Sequence, residues 1–235
     1  MTPAEVDQMK ENVAKVKERL NRAAAASGRR SEDIRLIAVT KYVDSQVTRN
    51  LVESGCHCLG ESRPQLLWEK GEKLQDLEVE WHLIGHLQRN KIRRSLLFAD
   101  TIHSCDSLKL LHAINAIAAE TQRRMNCLLQ VNISGESAKQ GFALSELEAV
   151  VVEVQSLSNI QLNGLMGMGS LGGDLDLNRK EFSQLRESLE KLQSHNGGNV
   201  NLRELSMGMS SDFEVAIEEG ATMVRVGSTL FDGLM

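Results

Sequence analysis

The strongest constraint on the fold is an alternation of short apolar runs with longer amphipathic segments along all 235 residues. Each apolar run has the length of a strand buried on both faces, as in a parallel sheet, and each longer segment has apolar residues at helical spacing. Eight strands that alternate with helices fit a closed α/β barrel, the (β/α)8 TIM barrel, better than an open doubly wound sheet, which usually has fewer strands. The predicted strands cover residues 36–40, 56–59, 79–85, 99–104, 127–132, 161–166, 203–206 and 223–226.

One extra helix precedes the first strand. Thr2, Pro3 and Glu5 form a capping box with proline at the first helical position, and Gly28 is the expected stop. No stretch is left over for a second domain, so residues 1–235 are expected to form one barrel domain. Similar signals predict later helix starts at Asp44 or Ser45, Ser62, Asp106, Ser145 and Ser211.

Composition argues against several classes of function. The net charge is −5 and only 3% of residues are aromatic, whereas a nucleic-acid surface needs basic or base-stacking side chains. The longest apolar runs are too short to span a membrane, and the polar, charged N-terminus is unlike a signal peptide. Four cysteines are too few for a disulfide scaffold in a chain of this length, so we expect a cytoplasmic, reduced protein.

The Cys56-His57-Cys58 segment raises the question of a metal site. A C-x-C pair needs a second pair of cysteines or histidines to complete a zinc site, and Cys105 and Cys127 both lie in apolar, strand-like surroundings. We therefore interpret the cysteines as buried structural thiols and predict no metal.

Lys41 stands just past the first predicted strand, at the end where α/β folds place reactive groups. A lysine held beside apolar walls loses its proton more readily than a solvated one, and its amine can then attack an aldehyde to form a Schiff base. The plainer alternative is a solvated loop lysine, and position alone favours that alternative. The other residues at the same end of the barrel provide the evidence that distinguishes a Schiff-base lysine from a solvated loop lysine.

The last two strand-to-helix loops carry the signals of an anion site. Gly208 and Ser210 lead into a predicted helix whose first N–H groups are free to bind an anion, and Gly227-Ser228 repeat the pattern after the last strand. These two loops are where (β/α)8 barrels commonly bind phosphate. Each pair taken alone is equally well explained as a tight turn with a capping hydroxyl. Both pairs together with Lys41 favour a phosphorylated aldehyde as the ligand.

Seven stretches, in order along nearly the whole chain, make the sequence recognisable. They are AVTK at 38–41, LGE at 59–61, WHLIGHLQRNK at 81–91, VNISGESAKQG at 131–141, GLM at 164–166, LSMGMSSD at 205–212 and VRVGS at 224–228. In these stretches the chain resembles the pyridoxal 5'-phosphate (PLP) homeostasis protein family. The resemblance implies the barrel of the alanine racemase N-terminal domain, fold type III among PLP proteins, without the second β domain.

The resemblance also implies roles for individual residues. Lys41 would hold PLP as a Schiff base, Ser210, Gly227 and Ser228 would hold its phosphate, and Arg225 would face the pyridine nitrogen. Because a guanidinium can only donate hydrogen bonds, Arg225 would keep that nitrogen unprotonated. The ring would then be a weaker electron sink for carbanion chemistry.

Four further residues complete the predicted cofactor contacts: His82, Asn132, Met166 and Met207. His82 either lies near the cofactor or is tied into the packing of the barrel. The methionines near the mouth form a soft lining, which serves either to pack against the ring or simply to fill space. They are Met166, Met168, Met207 and Met209.

The chain departs from the family pattern at two places. After the second strand it has Glu61-Ser62-Arg63-Pro64 where the family often has Glu-Asn-Tyr. A cofactor contact by asparagine is therefore in doubt, and Ser62 is expected to cap the next helix instead. Near the end of the chain Asp232 is inserted relative to the usual Phe-Gly, for which we expect only local effects.

A carrier and a racemase are the two main functional alternatives. A racemase needs two bases, one on each face of the substrate α-carbon. In alanine racemases the second base is a tyrosine from an additional β domain, whereas Tyr42, the sole tyrosine here, adjoins Lys41. We therefore favour an intracellular PLP carrier with little or no turnover, monomeric, with apo PLP-dependent enzymes as recipients. A barrel that binds another phosphorylated metabolite, with Lys41 as a simple charge, is a third alternative.

Overall fold

The computed structural model describes residues 1–135, 140–170 and 174–234. Its eight parallel strands pair in chain order and close on themselves, which confirms the (β/α)8 barrel. The last strand pairs with the first, with Ala38 opposite Val226. The strands are β1 Arg35–Val39, β2 Cys58–Glu61, β3 Glu80–Leu83, β4 Thr101–Cys105, β5 Met125–Val131, β6 Ile160–Gly167, β7 Val200–Ser206 and β8 Met223–Val226.

The α-helices of the described part surround this barrel. They are α1 Pro3–Ala26, α2 Ser45–Glu53, α3 Pro64–Lys73, α4 Ile92–Ser95, α5 Leu108–Glu120, α6 Leu147–Val154, α7 Leu175–Leu192 and α8 Phe213–Glu218. After β8 the chain forms a short 3-10 turn, Ser228–Phe231, and α1 packs against this turn, α8 and α2. The extra N-terminal helix therefore takes the place of the eighth helix of the ring. None of the helices in the described ranges is long and apolar enough for a membrane span.

Apolar side chains fill two regions. The larger lies between the helices and the outside of the barrel, and the buried stripe of α1, which includes Met9, Val13 and Leu20, belongs to it. The smaller lies inside the barrel, where Ile37, Leu128, Met166 and Met223 pack together. Buried polar side chains share that interior, and they are His82, His103, Ser206 and Arg225.

The helix starts test the capping predictions. The capping box of Thr2 and Glu5 is confirmed, and the side chain of Asp44 caps α2 by accepting from the Val47 N–H at 2.9 Å. The prediction for α5 is wrong by one residue, because the carboxylate of Asp106 lies 3.2 Å from the ring of His86 instead. The hydroxyl of Ser107 accepts from the Leu110 N–H in its place.

Three other predicted caps are wrong. The residues before α3 and α8 are Arg63 and Asp212, so neither Ser62 nor Ser211 is an N-cap. Ser145 lies within a 3-10 turn, Leu144–Glu146, and α6 begins only after it. The Glu146 carboxylate accepts from the backbone N–H of Ala143 at 2.7 Å, so the turn begins before Ser145.

Candidate functional site

The C-terminal ends of the strands open into a cavity of about 560 Å³. The cavity lies where the ends of β1, β2 and β3 face the loops that follow β7 and β8. Its walls combine apolar and hydrogen-bonding side chains, which is the composition typical of a site for a small organic ligand. The lining residues are Val39, Lys41, Tyr42, Ser62, Ile84, Met168, Met209, Ser210, Ser211, Arg225, Gly227, Ser228 and Phe231.

The cavity brings together the amine, the two hydroxyl loops and the arginine that the sequence singled out. Lys41, Ser210, Arg225, Gly227 and Ser228 all line it, although they lie up to 187 residues apart in the sequence. Barrel closure explains this meeting, because β8 pairs with β1 and so returns its C-terminal end to the end that carries Lys41. These residues therefore form one candidate site.

The side chain of Lys41 is exposed at the edge of this cavity. Its Nζ lies 4.8 Å from the centroid of the Tyr42 ring, and Tyr42 is itself 71% exposed. Lys41 therefore lies at the rim of the cavity and is not enclosed by its apolar walls. An exposed amine at the rim can be reached by a carbonyl compound directly from solvent.

A buried ion pair holds the backbone immediately before Lys41. The ammonium of Lys70 pairs with the carboxylate of Glu61 and donates to the carbonyl oxygen of Thr40 at 2.7 Å. The Thr40 hydroxyl donates to the same carboxylate at 2.7 Å. Both the main chain and the side chain of Thr40 are thus fixed, which positions the end of β1 and with it the attachment point of Lys41.

The two hydroxyl loops are joined to each other. The backbone N–H of Gly227 donates to the hydroxyl oxygen of Ser210 at 3.1 Å. In the first loop the Asp212 carboxylate accepts from the Met209 N–H at 2.6 Å, and burial raises the pKa of this carboxyl. The bond between the loops brings Ser210 next to Gly227-Ser228, on the side of the cavity where β8 pairs with β1.

Glycine is required in the first loop and not in the second. Gly208 has φ +86°, and a Cβ at this position would lie 2.5 Å from the Cβ of Ala216. Gly227 has φ −126°, and a Cβ there would have no neighbour closer than 3.4 Å. A tight turn therefore explains Gly208, whereas neither strain nor crowding within the described chain accounts for Gly227, which lines the cavity.

Arg225 forms the floor of the cavity. It is 4% exposed, and its Nη1 donates to the carbonyl oxygen and the hydroxyl of Ser206 while its Nη2 donates to the Gly167 carbonyl oxygen at 3.0 Å. Burial lowers its pKa to about 10, so the guanidinium remains protonated at neutral pH. Since a guanidinium has five N–H groups, it can serve these partners and still donate to a ligand above it.

Four of the predicted cofactor residues do not line the cavity. Met166 lies in the apolar cluster inside the barrel, and Met207 is fully buried in the outer core. His82 is fully buried, with its Nδ1 2.8 Å from Nε2 of His103. Asn132 is half-buried, and its N–H donates to Phe142; residues 136–139 of the neighbouring motif lie outside the described residues.

The cavity also includes residues that the sequence analysis did not assign to the site. Ser62 and Ile84 stand one residue past the ends of β2 and β3, and Phe231 closes the 3-10 turn after β8. The available signal was position, because the residue that follows a strand in a barrel points into the same mouth. Ser62 is notable because it stands where the family pattern has asparagine and is free of the capping role predicted for it.

A chain of hydrogen bonds leads from Arg225 through the barrel interior. Arg225 Nη1 lies 2.6 Å from Ser206 Oγ, which lies 2.9 Å from His103 Nδ1. His103 Nε2 in turn lies 2.8 Å from Nδ1 of His82, where the chain of hydrogen bonds ends. Nε2 of His82 lies 3.3 Å from Oε1 of Glu80, at the start of β3, without a hydrogen bond between them.

We expect His103 to make the fold acid-sensitive. Burial, together with His82, Arg225 and Arg35, lowers the pKa of His103 well below its usual value of 6.5. The unfolded chain then binds a proton that the folded chain does not, so stability falls as pH decreases below about 6.5, by up to about 1.4 kcal/mol per pH unit. Urea unfolding between about pH 7 and pH 5 should show a shallower decline for His103→Gln. The exposed His57→Gln should keep the wild-type slope, and an unchanged slope for His103→Gln would contradict the assignment.

Sequence comparison identifies relatives over nearly the full length. The model of the family described as "Alanine racemase, N-terminal domain" matches residues 5–234. The pyridoxal phosphate homeostasis protein of Pseudomonas aeruginosa is 38% identical over 221 residues, which cover 94% of each chain.

Solved structures extend the comparison. The PipY protein of Synechococcus elongatus, determined with PLP bound, matches with a TM-score of 0.83 and 33% identity over 95% of this chain and 99% of that one. Alanine racemase of Corynebacterium glutamicum matches with a TM-score of 0.69 and 16% identity over 98% of this chain but 62% of that one. The second likeness extends to the fold alone.

Proposed function

Because this chain belongs to the pyridoxal phosphate homeostasis protein family, we propose that it binds PLP in the cavity at the C-terminal mouth of its barrel. One observation carries the proposal: the Lys41 amine, the loops with Ser210 and Gly227-Ser228, and the Arg225 guanidinium all line one cavity. PLP has an aldehyde, a phosphate and a ring nitrogen that accepts a hydrogen bond. Each of these groups has a matching partner among those residues.

When bound, PLP supplies an aldehyde that condenses reversibly with a primary amine and releases water. Lys41 provides that amine at the rim, while Ser210 and Ser228 provide hydroxyl donors for the phosphate. Arg225 would donate to the ring nitrogen and, since the guanidinium stays protonated, would leave that nitrogen without a proton of its own. This arrangement suits retention of the cofactor better than carbanion chemistry.

The role that fits this site is storage and delivery of PLP with little or no turnover. Lys41 is exposed, so a competing amine from solvent or from an apo-enzyme can reach the attachment point. We propose apo PLP-dependent enzymes as recipients, a cytoplasmic location and a monomer as the working state.

A racemase-like activity is the alternative, and the site argues against it. A racemase needs acid–base groups on both faces of the substrate α-carbon. In the described part of the cavity wall the only other candidate is Tyr42, and its ring lies 4.8 Å from Lys41 Nζ on the same strand end. Two groups on one loop are poorly placed to attack opposite faces. An amino-acid racemisation assay distinguishes the two functions.

The first test is the visible absorption of the protein mixed with PLP. Wild type should show the shifted band of a PLP–lysine Schiff base, and borohydride should trap the cofactor on the peptide that contains Lys41. Lys41→Ala should lose the band and the trapped peptide completely, because no other amine lines the cavity in the described ranges. Lys15→Ala, at an exposed lysine on α1, is the matched control and should behave as wild type. An equal band in Lys41→Ala would refute the attachment site.

A further inference from the structure

A second group of ligand-type side chains lies at the opposite, N-terminal mouth of the barrel. Cys58, Glu80 and His82 place a sulfur, a carboxylate oxygen and an imidazole nitrogen within 4.8 Å of one another. Cys58 and Glu80 are opposite each other in the register of β2 and β3, and His82 follows Glu80 by two residues on the same face of β3. We propose that these three side chains form a zinc-binding site.

The ligand atoms are close enough to one another to share one zinc ion. Cys58 Sγ lies 3.5 Å from Oε2 of Glu80, and His82 Nε2 lies 3.3 Å from Oε1 of Glu80. Bonds of about 2.3 Å to sulfur and about 2.0 Å to nitrogen or oxygen, at tetrahedral angles, separate the ligand atoms by about 3.3 to 3.5 Å. The sulfur and the nitrogen each lie at such a separation from a different oxygen of the same carboxylate, and a small rotation of that carboxylate brings one oxygen toward both.

His82 provides an independent indication of a ligand. It is fully buried, yet its Nε2 has no hydrogen-bond partner among the described residues, because Glu80 lies at 3.3 Å outside the direction that a hydrogen bond requires. Buried polar atoms of native proteins are normally paired, and an unpaired one needs an explanation. A metal ion bound to the lone pair of Nε2 satisfies this atom.

The other ring nitrogen of His82, Nδ1, has the outer hydrogen-bond partner that metal-binding histidines usually have. Its Nδ1 lies 2.8 Å from Nε2 of His103, which is fixed in turn by Ser206. Such an outer hydrogen bond sets the ring orientation and the tautomer of a metal-binding histidine. Donation from Nδ1–H of His82 to His103 leaves Nε2 free to bind the ion.

Donor chemistry and access favour zinc. A thiolate and an imidazole prefer zinc to the hard ions magnesium and calcium. Cys58 and Glu80 are partly exposed, so zinc can enter and a water can take the fourth position. On binding, the Cys58 thiol gives its proton to the buffer and its sulfur bonds to zinc, with no change of oxidation state. Arg35, whose Nη1 lies 3.3 Å from Oε1 of Glu80, is 40% exposed and can turn into solvent.

Competition between the full chain and a chromophoric chelator for zinc tests the proposal. Wild type should bind one zinc ion per chain. Cys58→Ser and Glu80→Gln should each weaken binding at least as much as the roughly 10- to 100-fold typical of losing an outer hydrogen-bond partner. His57→Ala removes an exposed histidine one residue from Cys58 and should leave the affinity unchanged.

Cobalt in place of zinc reports the ligand directly. A thiolate-to-cobalt charge-transfer band should appear in wild type, Glu80→Gln and His57→Ala, and should be missing in Cys58→Ser. Absence of the band from wild type overturns the proposal whatever the variants do. So does zinc affinity that is equal in wild type and both ligand variants, or that is lost in His57→Ala.

Discussion

Lys70→Met is expected to lower the free energy of unfolding by about 3 to 5 kcal/mol, the usual cost of breaking a buried ion pair. Lys70 is 2% exposed and Glu61 is fully buried. Without the ammonium the Glu61 carboxylate keeps only the Thr40 hydroxyl as a partner, and its Oε2 already has none among the described residues. A buried carboxylate in that condition must bind a proton or draw in water, and both are costly. Urea unfolding followed by circular dichroism measures the change.

Lys73→Met is the matched control for this experiment. Lys73 lies on the same helix, three residues further on, and pairs with Glu69 at 2.7 Å on the exposed surface. Its loss should cost less than about 1 kcal/mol. Replacing Glu61 as well, in Lys70→Met/Glu61→Leu, should recover much of the lost stability, because no buried charge then remains. Equal effects of Lys70→Met and Lys73→Met would show that the buried pair does not matter.

Gly85→Ala is expected to have an effect of similar size through crowding. A Cβ at Gly85 would lie 2.1 Å from the carbonyl oxygen and 2.8 Å from the Cα of Ser62, and backbone atoms cannot move aside as side chains do. We expect a loss of unfolding free energy at or above the roughly 3 kcal/mol upper end for overpacking. Ser62 and Ile84 both line the cavity, so the absorbance titration with PLP should also show weaker binding.

Gly28→Ala separates crowding from backbone strain. Gly28 has φ +69°, but a Cβ there would have nothing within 4 Å. The cost should be about 1 kcal/mol, from the left-handed conformation alone, and PLP binding should not change. A Gly85→Ala protein as stable as Gly28→Ala would mean that the two loops can separate freely, and the close approach would then not define the cavity.

Local sequence signals were sufficient to predict the architecture and about half of the residues that we assigned to the candidate site. The predicted bounds of β8 match the observed ones, and the capping box of Thr2 and Glu5 places the start of α1 correctly. Lys41 follows a strand that a short apolar run marks clearly, whereas the strand before Ser210 was predicted only over 203–206 and extends over Val200–Ser206. In a barrel the end of each strand determines which mouth a residue faces, so counting strands is enough to bring these residues together.

The sequence does not show in which layer of the barrel the side chain of a strand residue lies. Met168 lines the cavity, while Met166, two residues earlier, is buried below it inside the barrel. Met209 also lines the cavity, whereas Met207, two residues earlier, is buried in the outer core. Alternation assigns a side chain to a face but not to a layer within the barrel. The same limit applies to His82, for which the sequence left two alternatives, contact with the cofactor or packing inside the barrel, and the structure shows the second, next to His103 on β4.

Contacts between helices and strands also could not be predicted from the sequence. Lys70 stands in a helical segment with glutamates and another lysine, a context typical of a solvated surface, yet the packing of α3 on the barrel buries it against β1 and β2. Cys58 was judged together with its neighbours Cys56 and His57. The register of β2 with β3 places it beside Glu80, 22 residues later in the chain.

The hydrogen-bonded chain inside the barrel has one further consequence. Arg225 can only donate, but Ser206, His103 and His82 can pass a hydrogen bond in either direction, since each neutral imidazole carries one proton on one of two nitrogens. His103 cannot change its proton unless its neighbours change theirs, so the two rings reverse as a unit. The two mouths of the barrel therefore share one proton-ordering equilibrium. A ligand that binds Nε2 of His82 therefore selects the order in which His82 donates to His103 and His103 donates to Ser206.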